Sequence, residues 1–227
     1  MNLIIYIFIL IISMIFLYII NKLLGKLGLS ITYILMSITS LLLAFKYVTL
    51  STINLNSNSV TYVTMLTALY LFLESNDKKE TKDLINLNFI INIFFSIMIY
   101  IMTTYTQSLT DTISVNMKNV FANNSQILII YPFTTLLSSY LLIWVYKKIK
   151  QLYDNHFIAI VTIYLLVGLI EGMLYTLLVY GKYLSIKSII MIILSTYMIR
   201  LITTVIYSIF LILLDKKKVI SWIVLPY

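Results

Sequence analysis

Glu171 lies in the run GLIEGMLYTLLVYG, residues 168–181, with apolar neighbours on both sides. Arg200 lies in a second apolar run, residues 188–214. At the centre of a membrane helix each such charge costs roughly 2.5–3.5 kcal/mol on insertion scales. Opposite charges at one depth can offset that cost. The two runs are joined by a short loop centred near Leu184, with Glu171 13 residues before it and Arg200 16 residues after it. On antiparallel helices rising about 1.5 Å per residue, the two differ in depth by roughly 4–5 Å. An ion pair follows as the expectation. It serves either as a helix lock or as a site for a substrate or coupling ion.

Polar residues recur around the pair at helical spacing. Tyr164, Gly168, Glu171 and Tyr175 fall at i, i+4, i+7 and i+11, and Thr196, Arg200, Thr203 and Tyr207 repeat that pattern. Tyr131, Thr135 and Ser138 make a third stripe beside Pro132, and Thr67, Tyr70 and Glu74 a fourth. Lipid has no use for such faces, so the stripes are expected to turn inward onto a polar centre. Small residues and hydroxyls also serve helix packing alone, and Gly168-x-x-x-Gly172 fits that reading equally.

Other chemistry lacks its residues. The chain has no cysteine, a single histidine (His156, at the start of an apolar run) and five glycines. No metal ligand set, cofactor motif, phosphate loop or nucleophile–base constellation can be assembled. The expectation is no metal, no cofactor and no enzyme activity.

The elements that must carry these residues are read from composition. Hydrophobic residues make up 61% and charged residues 11% of 227, with a mean hydropathy of +1.01. A soluble domain carries about 25% charged residues. The formal charge of +8 is dispersed in short clusters, with no continuous basic face to track phosphates, so nucleic acid is not an expected partner. A bilayer crossing needs about 20 apolar residues. Seven candidate helices follow, at about 3–21, 29–45, 58–74, 86–105, 126–146, 157–180 and 188–214, within one all-α integral membrane domain spanning 1–227. The third is diluted by threonine and tyrosine. The loops after helices one, three, five and seven hold eleven lysines, against four on the other side. The positive-inside rule then puts the N-terminus outside and the C-terminus in the cytoplasm.

Several stretches, taken in order, resemble the queuosine-precursor (vitamin uptake) transporter family. They are LYIINKLLGKLGL, FLESNDKKETKDLINLNF, VNMKNVFANNSQILIIYPFTTLLSSYLLIWVYKKIK and GLIEGMLYTLLVYGKYLSIKSIIMIILSTYMIRLI. The resemblance covers roughly residues 15–215. It puts Glu171 where members usually carry Asp, Arg200 where a Lys is common, and Glu74 at a helix-end motif with a gating or structural role. Tyr70 stands where members carry an acid, Ser139 and Leu142 replace a Gln-and-Asp pattern, Gly168 replaces a Gln, and a late Thr-Pro is absent.

The resemblance implies a carrier in a bacterial inner (plasma) membrane that imports a deazaguanine base. In this reading Glu171 accepts ring N–H groups or couples protons, and Arg200 sets its charge state or binds a ligand carbonyl. Tyr164, Tyr175 and Tyr207 flank the ring, with Thr203, Ser139 and Tyr70 completing the site. The partners are a heterocyclic substrate and the lipid bilayer, with the chain acting as a homo-oligomer or in a larger membrane complex. The alternative is a structural subunit of such a complex that no longer transports.

Overall fold

A computed structural model of the chain describes residues 2–50, 53–105, 113–122, 124–152 and 156–216. The described residues form an all-α bundle with one small β-hairpin. In order they are α1 (Asn2–Leu43), β1 (Tyr47–Leu50), β2 (Ile53–Asn56), α2 (Ser59–Ser75), α3 (Lys78–Thr104) and α4 (Ile113–Met117). A π-helical turn (Lys118–Ala122), α5 (Ser125–Leu152), α6 (His156–Tyr180) and α7 (Ile186–Lys216) follow. Five helices, α1, α3, α5, α6 and α7, are long and apolar enough to cross a membrane. Their outward residues suit lipid: Ile4, Ile90, Phe133, Trp144 and Met191 are each more than half exposed. This is a helical membrane protein.

The first two expected helices are the two limbs of α1. The helix breaks at Gly25, whose φ of 53° and ψ of −125° suit glycine alone among the standard residues. The second limb then folds back so closely that a Cβ on Gly28 would lie 2.3 Å from the Ile20 carbonyl oxygen. The second limb is the better buried, with Leu29, Thr32, Tyr33, Ser37, Ser40 and Leu41 inward.

α2 is the central helix. Every residue from Ser59 to Leu73 is buried, and α1, α3, α5 and α7 all contact it. Its threonines and tyrosines dilute its hydropathy because it meets other helices rather than lipid, and hydroxyls there can bond across helices. α3 joins the second limb of α1 through amides: Asn88 and Asn92 both donate to Ser37 Oγ, at 3.2 and 2.9 Å. The stretch before α2, expected only as a loop, instead pairs β1 with β2 in antiparallel register from Tyr47↔Asn56 to Leu50↔Ile53.

Contacts sort the connections onto two ends. At one end Lys26 reaches Glu80 at 2.5 Å and Lys150 reaches Glu74 at 3.2 Å, uniting the α1 turn, the α2–α3 junction and the end of α5. At the other, Ser57 N–H donates to Lys46 O, Gln126 Nε2 donates to Val179 O at 3.0 Å, and Phe45 meets Phe121 edge-on. The lysine clusters fall at the first end, which we call the basic end; Lys217 and Lys218 lie outside the described residues.

Candidate functional site: a buried Glu171–Arg200 pair

Arg200 comes from the middle of α7 and Glu171 from the middle of α6. Both are buried, at 4% and 2% exposure. Arg200 Nη1 donates to Glu171 Oε2 and, at 3.1 Å, to the Gly168 carbonyl. The two glycines of α6 make this possible. A Cβ on Gly172 would sit 3.3 Å from Nη1, and one on Gly168 would sit 3.9 Å from Arg200 Cδ. The Gly168-x-x-x-Gly172 face is therefore a groove for the arginine side chain. On the other side the Tyr62 ring lies 4.1 Å from the guanidinium carbon, so a third helix, α2, holds the cation by cation–π attraction.

The pair is only half satisfied. Glu171 Oε1 and Arg200 Nε are buried without a hydrogen-bond partner among the described residues, and so is the hydroxyl of Thr196; the Tyr62 hydroxyl meets Ser138 and Thr135 meets Tyr131. Thr196 is one turn from Arg200, and Thr135 stands beside Tyr131. Tyr62 and Tyr131 both lie within electrostatic reach of the two charges. One acceptor and one donor of the same ion pair thus stay open in a region with two tyrosines. A ligand presenting an N–H beside a C=O suits that arrangement.

The remaining expected residues divide. Tyr175 sits one turn from Glu171, with its ring edge-on to Tyr131 at 6.4 Å, and belongs to this centre. Tyr207 instead donates to Thr64, whose own hydrogen goes to Val60 O. Thr203 accepts from Tyr6, and Ser139 pairs with Tyr33 at 2.8 Å. Tyr164 packs edge-on against Tyr70, and Tyr70 donates to Glu74 at 2.8 Å, all towards the basic end. Tyr164, Tyr175 and Tyr207 therefore do not gather around one ring-sized space.

Tyr62, whose ring covers the Arg200 guanidinium, escapes sequence reading, and Tyr131, expected only as part of a stripe, lies within electrostatic reach of both charges. Only the Tyr131 stripe signals either of them. Replacing Tyr62 by Leu is expected to lower stability by about 0.5–2 kcal/mol, the range of a cation–π contact. Thermal unfolding of the purified chain reads this, and an unchanged midpoint would remove Tyr62 from the site.

Comparison with protein-family models, with curated proteins and with solved structures finds no match. The class that fold and site define is a helical membrane protein with a buried, half-satisfied ion pair at its centre.

Proposed function

We propose that this chain is a membrane carrier for a small planar heterocycle, a purine-like base such as a deazaguanine precursor of queuosine. The observation that carries the proposal is the open Oε1 of Glu171 beside the open Nε of Arg200, with Tyr62 and Tyr131 at hand. A base edge offers a ring N–H to the first and a carbonyl to the second, and the tyrosines offer aromatic faces. A surplus polar group inside a membrane bundle is a functional-site hypothesis by default. The resemblance to queuosine-precursor transporters narrows the ligand class.

In this reading the bundle crosses the membrane seven times, with α1 counted as two limbs and α2 as the central helix. The excess of lysine at the basic end supports a cytoplasmic basic end, an outer N-terminus and an inner C-terminus. The membrane is the plasma membrane of a bacterium. The 227 residues hold no nucleotide-binding motif.

One observation favours a second reading, a non-transporting subunit of a membrane complex. Tyr207–Thr64, Tyr33–Ser139 and Tyr6–Thr203 close directly across helices, as polar glue does. Uptake decides between the two. Cells expressing the chain should accumulate a radiolabelled deazaguanine base above vector controls, and Glu171→Gln should abolish the gain. Normal expression without accumulation favours the scaffold. Single cysteines at Lys79 and Lys148 should both label from the cytoplasmic side only, and labelling from opposite sides would end the seven-crossing arrangement.

A further inference from the structure

We infer that the basic end of the bundle is a gate, closed in this structure by a tyrosine plug and held by an ionic latch between α2 and α5. The inference rests on the carrier reading above, but its test does not require transport.

The plug consists of three tyrosines from three helices. Tyr70 on α2 meets Tyr146 on α5 edge-on at 5.5 Å and Tyr164 on α6 edge-on at 5.9 Å. Tyr70 and Tyr164 are 1% and 2% exposed. They stand between the buried pair and the basic end: Tyr164 is two turns from Glu171 on the same helix, and Tyr70 is two turns from Tyr62. A route from Glu171 to the basic end along α2 and α6 would run past them.

The latch lies just outside the plug. Glu74 Oε1 accepts from the Tyr70 hydroxyl at 2.8 Å and from Lys150 Nζ at 3.2 Å. Lys150 also donates to the Tyr146 hydroxyl at 2.7 Å. One lysine and one carboxylate therefore bind the tips of two plug tyrosines and tie α2 to α5. Their side chains are 46% and 26% exposed. Bonds this wet are weak and screened by salt, so they can open and reclose.

The opposite end is fastened differently. There Asn56 Nδ2 donates to Ala44 O, Ser57 N–H to Lys46 O and Ser57 Oγ to Leu43 O. Asn56 is buried. These bonds hold the hairpin to the end of α1 through backbone groups, and Gln126 Nε2 ties α5 to the Val179 carbonyl of α6. In the proposed gate, opening begins at the basic end, where the fastening between α2 and α5 is an exposed ion pair.

The chain contains no cysteine, so a single reporter gives a clean signal. Thr67 is buried one turn inward of Tyr70; its hydroxyl donates to Val63 O and also meets the Tyr164 hydroxyl, so the Thr67→Cys chain is itself the reference for every comparison. Thr67→Cys should react slowly with a membrane-impermeant maleimide in vesicles of either orientation. Adding Lys150→Met or Glu74→Gln should speed labelling roughly fivefold, the population change one exposed charged bond can supply. The gain should appear only from the side on which Lys148→Cys labels. The swapped pair Glu74→Lys with Lys150→Glu should restore slow labelling. Equal acceleration from both sides means general loosening and overturns the gate, as does no acceleration in variants that melt with the parent. A chain that opens in this assay yet takes up no base keeps the gate and loses the proposed substrate.

Discussion

Glu171→Gln is expected to lower the stability of the bundle by about 3–5 kcal/mol, the cost of leaving one member of a buried pair without its partner. The reason is local. Arg200 Nη1 keeps its bond to Gly168 O and the Tyr62 face, but among the described residues no other carboxylate pairs with it. Arg200→Met should cost a similar amount, because Glu171 then keeps neither a cation nor a donor. The double variant Glu171→Gln with Arg200→Met removes both charges and should recover most of that loss, since neutral groups of similar size often replace a buried pair at little cost. In the carrier reading uptake should not recover with it, because the Nε donor is gone and a neutral amide stands in place of the carboxylate acceptor. Thermal unfolding and base uptake, measured on all three variants, separate the roles. Recovery of both properties in the double variant would make the pair a helix lock and return the protein to the scaffold reading.

Helix existence was legible because it depends on runs of apolar residues, and those runs are long. The expected segments 126–146, 157–180 and 188–214 fall inside α5, α6 and α7, and 3–21 and 29–45 fall on the two limbs of α1 apart from the last two residues. The ends were less legible. α3 begins at Lys78, eight residues before the apolar run at 86, because Lys78, Lys79, Glu80 and Lys82 are good helix formers at a wet end. The hairpin of β1 and β2 was missed because each strand has four residues, too few for alternation to stand out.

The site was legible to the extent that it depends on single-helix periodicity. Glu171 and Arg200 announced themselves as charges in apolar runs, and the depth argument brought them together. Tyr62 gave no comparable signal. It reaches Arg200 because α2 is threaded through the middle of the bundle, which only tertiary packing decides. The glycines were ambiguous for the same reason: GxxxG faces accept a helix or a side chain equally well, and here Gly168 and Gly172 accept Arg200. The stripes failed as a guide to one pocket because a shared helix face says nothing about which neighbour it meets. Tyr207 and Thr203 lie on the face of Arg200, yet they bond to Thr64 and Tyr6 on two different helices. By contrast Asn88, Asn92 and Ser96 repeat every four residues, and the spacing used for the other stripes would have placed them inward, where all three are buried.

The turn that joins the two limbs of α1 should be the most substitution-sensitive backbone in the molecule outside the ion pair. Gly28→Val is expected to destabilise by about 1–3 kcal/mol or more, the range of overpacking in a tight interface. A Cβ there would sit 2.3 Å from the Ile20 carbonyl oxygen, 2.8 Å from its carbon and 3.1 Å from Asn21 Cα. These are backbone atoms of the first limb, so no rotamer change relieves the clash and the limbs must separate. Separation moves Lys26, two residues away, from Glu80 and from the Phe72 ring, which it covers at 5.8 Å. Gly25→Ala isolates the other cause. A Cβ on Gly25 meets nothing within 4 Å, so its cost is backbone strain alone, of order 1–3 kcal/mol. The two effects need not add, since both act on one turn. Thermal unfolding in detergent should rank parent, Gly25→Ala and Gly28→Val in falling order. A spin-label pair on Leu17 and Leu35, one on each limb, should widen in Gly28→Val more than in Gly25→Ala. If Gly28→Val melts with the parent and the pair does not widen, the limbs are not in backbone contact and the fold of α1 is wrong.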